Sequence, residues 1–324
     1  MDIYVKKAII HQFSPDDTDL YLADKFLNIT PKIEEYLRKK IERVYSDEAR
    51  TGIFEEDNPF LEMISDDLLE TSVAVANRWK EEFVVSENQK TNDLVFIQFS
   101  KEGVDHFAFL RIALRETLTH LGGEVDNPIK LTQNNLPGFG TGADEALVIN
   151  LQNRKYHLIE KRIKYNGTFL NYFSENLLQA QPKISPKKSI KALEKTAQKI
   201  AESFNTDDFQ FQSKVKSAIF NHIEEENKLS PEKLADDLFD DNLTARLSFI
   251  DQVKEAVPEP VTFEEIDASR QLKKFENQKL SLSNGIELIV PNNVYEDAES
   301  VEFILNDNGT YSILIKNIED IQSK

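Results

Sequence analysis

At four places a side chain able to cap a helix stands directly before a proline, at the head of a segment with helical spacing. These are Thr30-Pro31, Asn58-Pro59, Ser185-Pro186 and Ser230-Pro231. The hydroxyl or amide accepts from an orphaned N–H of the first turn, and proline sits where no N–H is needed. The four starts fix where helices begin and so confine where strands can lie. After Thr30, the apolar residues Ile33, Leu37, Ile41 and Val44 keep helical spacing. After Asn58, one stripe of Leu61, Ile64, Leu68, Val75 and Trp79 predicts a single second helix. From Ser185 to about Val257 the pattern is helical throughout.

Elsewhere the period shortens. Residues 3–13 and 20–27 are expected as strands. Residues 94–99 and 106–114 flank Lys101-Glu102-Gly103 as a hairpin, and 146–151 and 156–163 flank Gln152-Asn153-Arg154 as a second. Residues 170–178 are expected to be helical, and Val257-Pro258-Glu259-Pro260 a stiff linker. Four short β-like runs follow, with Asn284-Gly285 and Asn308-Gly309 as hairpin signals. The expectation is an α+β chain: an N-terminal antiparallel sheet with helices over 1–181, a helical segment with a basic first helix over 182–257, and a small β-rich unit over 258–324.

The 324 residues hold 39 Lys or Arg against 57 Asp or Glu, a net charge of −18. Spread evenly, that charge would repel nucleic acid and anionic membrane. Cysteine is absent, which removes disulfides, thiolate metal sites and thiol nucleophiles. No apolar run reaches the roughly 18 residues of a membrane span, and the opening apolar patch turns acidic too soon for a signal peptide. A soluble cytoplasmic chain with no membrane contact is expected.

The charge is not spread evenly. Residues 154–199 hold eleven Lys or Arg and three acids. At about 100° per residue, the helix after Ser185 places Ile190, Leu193, Ala197, Ile200 and Phe204 in one arc. Lys187, Lys188, Lys191, Lys195 and Lys199 fall in the opposite arc. Such a row can follow a phosphate backbone; it is also what a solvated helix face looks like. Arg154, Lys155, Lys161, Arg162 and Lys164 form a second basic group, but strand alternation sends Lys161 and Arg162 to opposite faces.

Other motifs carry less. The loop Leu136-Pro137-Gly138-Phe139-Gly140-Thr141-Gly142 lacks the lysine of a phosphate loop and precedes a strand, so it is expected as a connection. His11, His106, His120, His157 and His222 show no metal-ligand spacing, and no nucleophile motif accompanies them. No cofactor and no metal site are expected.

Several blocks together resemble the 37-kDa nucleoid-associated bacterial protein family (NdpA/YejK type). They are Ile9-Ile10-His11, Arg43-Val44-Tyr45, Gly52-Ile53-Phe54, the run 93–114, and Tyr172-Phe173 with Leu177-Leu178. Gln271-Leu272-Lys273-Lys274-Phe275 and Gly285-Ile286-Glu287-Leu288 complete the set. The resemblance implies association with the nucleoid and no established catalytic residues. It supplies no DNA-contact motif, so the lysine assignment rests on helix geometry.

The leading expectation is a non-enzymatic nucleoid-associated protein that contacts DNA phosphates without sequence preference through the lysine face. Two alternatives stand beside it. One is an acidic adaptor that recruits a basic DNA-bound protein, and the other is a metal-dependent nuclease or phosphoesterase built from scattered carboxylates.

Overall fold

The structure, a computed structural model, describes residues 2–16, 18–86, 90–120, 129–205, 209–263 and 265–322. It gathers into two compact units, Met1–Ser185 and Pro186–Lys324.

The first unit is built on strands β1 (Ile3–Ser14) and β2 (Asp19–Tyr21), helix α1 (Pro31–Glu42), strand β3 (Arg50–Ile53), and helices α2 (Pro59–Glu62) and α3 (Leu68–Phe83). Strands β4 (Asn92–Lys101), β5 (Val104–Ala113), β6 (Arg115–His120), β7 (Ile129–Asn135), β8 (Glu145–Asn150) and β9 (Lys155–Ile159) follow. The short β10 (Ile163–Tyr165) and β11 (Thr168–Leu170) close it, ahead of a π-type turn over Phe173–Leu177. Seven strands form one antiparallel sheet in the order β2-β1-β4-β5-β8-β9-β3, so both expected hairpins lie inside a larger sheet.

Alternation along the central strands explains why they read as unbroken apolar runs. Leu94, Phe96, Phe107, Phe109, Leu147 and Ile149 point into one core with Trp79 of α3. Val95, Ile97, Ala108, Leu110, Ala146 and Val148 point into another with Leu37 and Ile41 of α1. A strand buried on both faces has no polar side to show. In β1 the ladder shifts between Val5 and Lys7. The bulge lets Ile3 and Val5 share a face with Ala8 while Ile9 and Phe13 face the Trp79 core.

Local signals and the structure part company where a side chain or a distant strand intervenes. Thr30 and Asn58 cap α1 and α2, accepting from Ile33 and Phe60 N–H. The expected single helix after Asn58 is two, because the Asp67 carboxylate accepts from Leu69 N–H and starts α3 afresh. The expected strand over 20–27 is shorter, ending at Tyr21. Residues 170–178 hold the end of β11 and the π-type turn, where Leu178 N–H donates to Phe173 C=O at 2.9 Å. The β6–β7 hairpin, rich in Thr and Asn, carries too little apolar alternation to be read from sequence.

The second unit opens with α4 (Pro186–Ser203) and α5 (Phe209–Glu226), then β12 (Lys228–Leu229), α6 (Pro231–Leu238), α7 (Leu243–Lys254) and β13 (Val261–Thr262). Helix α8 (Ser269–Phe275), strands β14 (Asn277–Ser281) and β15 (Glu287–Pro291), helix α9 (Asn292–Tyr295), and strands β16 (Val301–Leu305) and β17 (Tyr311–Ile315) complete it. Ser230 caps α6 as its sequence implies. Of the segment expected as a linker, Val257 is buried with Phe249 while Pro258, Glu259 and Pro260 are exposed; just beyond it Val261 and Phe263 are buried and β13 pairs with β12. The four C-terminal runs form two separate hairpins, β14–β15 and β16–β17. Gly285 and Gly309 take φ of 87° and 77°, which suits glycine at the close of each turn.

Candidate nucleic-acid interface

Helix α4 divides along its length. Ile190, Leu193, Ala197, Ile200 and Ala201 are buried in a core shared with Phe249 and Val253 of α7. That burial fixes the rotation of the helix, so the opposite face has a single orientation on the unit. On it Lys187, Lys188, Lys191, Lys195 and Lys199 are all exposed. From Lys187 to Lys199 the row is about 18 Å long at about 1.5 Å per residue. That length matches about five phosphates of one strand at about 3.4 Å each.

The lysines differ in their surroundings. Lys199 Nζ donates to Gln252 Oε1 at 3.0 Å. Among the described residues Lys188, Lys191 and Lys195 form no ion pair, although the chain has an excess of acid. Two acids lie on or beside the row. Glu194 is drawn to Lys274 at 3.1 Å, and Glu202 accepts from Gln198 Nε2 at 3.2 Å.

The Lys274 contact brings α8 beside α4. Its sequence, Ser-Arg-Gln-Leu-Lys-Lys-Phe, holds three cations and no acid. Arg270, Lys273 and Lys274 are exposed there. Sequence reasoning missed this addition because the two helices are separated by 80 residues along the chain. The usable signal was the acid-free composition of 269–275.

The second basic group belongs to the first unit and is largely engaged there. Arg154 pairs with Glu56 at 2.8 Å, and Lys161 with Asp144 at 2.9 Å. Burial alone would raise the Asp144 carboxyl, but the Lys161 ammonium and Ala113 N–H hold it below the usual carboxylate range. Arg162 donates to Phe169 C=O at 2.6 Å. Lys155 is half-buried and Lys164 exposed, and each has a contact within the protein. Lys161, Arg162 and Lys164 keep exposed side chains despite these contacts.

The glycine loop between β7 and β8 turns its carbonyls, rather than a row of N–H groups, toward a cation of the chain itself. Lys40 Nζ donates to the carbonyl oxygens of Gly138 at 2.9 Å and Thr141 at 2.5 Å, and sits 4.4 Å from the Tyr36 ring centroid. Burial, with Arg43 and Arg115 nearby, brings the Lys40 ammonium down to about 8. Of the histidines, His222 pairs with Asp237 at 2.6 Å and His11 is sealed in the first unit. No described group of three or more His, Asp or Glu could hold a metal ion. No described helix is long and apolar enough to cross a membrane.

The family model described as nucleoid-associated protein YejK matches residues 9–321, nearly the whole chain. The chain belongs to this family. Membership gives it a nucleoid-associated role at the level of the family, and the match runs through both compact units, including α4 and the C-terminal hairpins. No curated protein matches the chain.

Proposed function

We propose that the chain is a non-enzymatic DNA-binding protein of the nucleoid, and that the lysine face of α4 contacts phosphates without reading bases. One observation carries the reading: Lys188, Lys191 and Lys195 are exposed and unpaired on a helix whose rotation is fixed by its buried side. An ammonium held away from carboxylates can displace the counterions condensed on DNA, and the entropy of their release drives binding. Exposed lysines act as point charges and carry no base preference of their own. Arg270 and Lys273 are further exposed cations on α8, while Lys274 is paired with Glu194.

If all five lysines each meet a phosphate, log affinity should fall with log salt at a slope of about −4 to −5. Replacing Lys188, Lys191 and Lys195 by Gln should flatten that slope by about 3 and leave thermal unfolding unchanged. Equal slopes for the two proteins in a fluorescence-anisotropy titration on duplex DNA would remove the lysine face from the interface.

A second reading, an adaptor for a basic DNA-bound protein, draws support from the −26 carried by residues outside 154–199. It predicts that the pure chain fails to shift DNA at physiological salt yet retains a basic partner.

A further inference from the structure

The β16–β17 hairpin forms a two-stranded sheet of its own. Its ladder runs from Val301 opposite Ile315 to Leu305 opposite Tyr311. Odd-numbered residues of both strands share one face. That face is seated on the second unit through Phe303, which meets the rings of Phe209 and Tyr295 at 5.2 Å, and through Tyr311, 5.2 Å from Phe209. The other face and the hairpin tip remain exposed, with Ile304 at 40%, Leu314 at 47% and Leu305 at 62%. No other described strand pairs with either outer edge.

Natural edge strands are usually guarded by lysine, proline or a bulge. Neither strand here has any of these, and the one charged side chain in them is Glu302, which Lys316 neutralises at 2.6 Å. The ladder also tells which backbone groups are free. Asn306 N–H donates to Thr310 C=O, and Lys316 N–H to Ser300 C=O. In an antiparallel pair, inward-bonded and outward-facing residues alternate. The N–H and C=O of Tyr311, Ile313 and Ile315 therefore point away from β16, along the more exposed of the two strands.

Charge selects the occupant. Between residues 280 and 322 there are eight acids and a single cation, Lys316. A segment of that charge repels DNA and the same hairpin of a second copy, and attracts a cationic chain. We propose that the outer edge of β17 is a docking site for an extended polypeptide segment of alternating aliphatic and basic residues, which adds as a third strand. Its backbone would satisfy Tyr311, Ile313 and Ile315, its aliphatic face would cover exposed apolar side chains, and its cations would meet the acids of this segment. The proposal gives the adaptor reading a definite surface and does not depend on the lysine face of α4.

The probe is a labelled dodecapeptide of alternating valine and lysine, titrated with the full chain by fluorescence anisotropy. Two control peptides accompany it, one with glutamate for lysine and one with proline at every third position. Binding at least tenfold tighter than either control is expected. Ile315→Pro removes an outward-facing N–H without touching a ladder bond and should weaken binding at least tenfold. Ile315→Lys keeps the backbone but adds a like charge at the edge, and should also weaken it if the proline variant fails to fold. Absence of binding by the valine–lysine peptide overturns the proposal. Equal binding by the proline-broken peptide also overturns it, since charge alone would then suffice. A concentration-dependent dimer in sedimentation that Ile315→Lys dissolves would assign the edge to a second copy and overturn the stated occupant. Loss of peptide binding with DNA binding intact would separate this failure from that of the lysine face.

Discussion

His11 should make the first unit lose stability in mild acid. The ring is fully buried in the sheet, 5.5 Å from the Phe96 ring. Its Nδ1 accepts from Ala23 N–H at 3.0 Å, so Nδ1 bears no proton. Nε2 lies 2.9 Å from Ser72 Oγ, whose hydroxyl donates to Leu69 C=O at 2.8 Å, so Nε2–H is the donor of that pair. A second proton would set N–H against N–H at Nδ1, and burial brings the imidazole down to about 4 from 6.5. Between these values the unfolded chain binds a proton that the folded chain refuses, so stability falls as pH falls through this window. Linkage puts the loss between pH 7.5 and 5 at about 2 kcal/mol. Trp79 is the sole tryptophan and is buried in the same core, so its emission in urea reports this unit. His11→Gln keeps a donor toward Ser72 and removes the titration. Asp93 and Glu160, which burial raises, contribute to both proteins and cancel in the difference. The wild-type chain should lose about 2 kcal/mol more than the variant over that pH range. Parallel pH profiles would refute the reasoning.

Other outcomes follow from the same unit. Arg111 donates to Glu145 at 2.6 Å and to Asn92 Oδ1 at 2.9 Å, while Tyr172 OH donates to Glu145 and accepts from Trp79 Nε1–H. Arg111→Leu strands the carboxylate in the core and should cost about 3–5 kcal/mol in urea unfolding. A Cβ at Gly52 would overlap the buried Tyr156 ring, so Gly52→Ala should cost about 1–3 kcal/mol; an unchanged midpoint would contradict this packing. Lys40→Met withdraws the donor that gathers the 136–142 loop, and hydrogen exchange there should quicken tenfold or more.

What the sequence discloses is what is local. Thr30, Asn58 and Ser230 cap within three residues of themselves, so their helices are legible. The apolar and lysine arcs of α4 come from a period of one helix and survive intact in the structure. What it conceals depends on partners far along the chain. Strand β3 has little alternation and owes its place to pairing with β9, Arg50 opposite Leu158. That Lys274 stands beside Glu194, and that Lys199 is tied to Gln252, follow from packing of helices and not from any spacing. The dry setting of His11 is equally non-local, since its walls come from β1, α3 and β4.

The bulge in β1 makes Lys6 different from every other residue of that strand. Val5 pairs with Phe99 and Lys7 with Gln98, which leaves Lys6 opposite no residue of its own. Because Lys7 is also lysine, removing either of the two gives the same chain, whereas deleting any other interior residue of β1 would turn the side chains beyond it to the wrong side of the sheet. Deleting Lys6 would leave each remaining side chain facing as before and turn an irregular strand into a regular one, at the loss of an exposed contact with Asp105. The first strand thus contains one position where the length of the chain, usually the least forgiving property of a buried sheet, is free to vary.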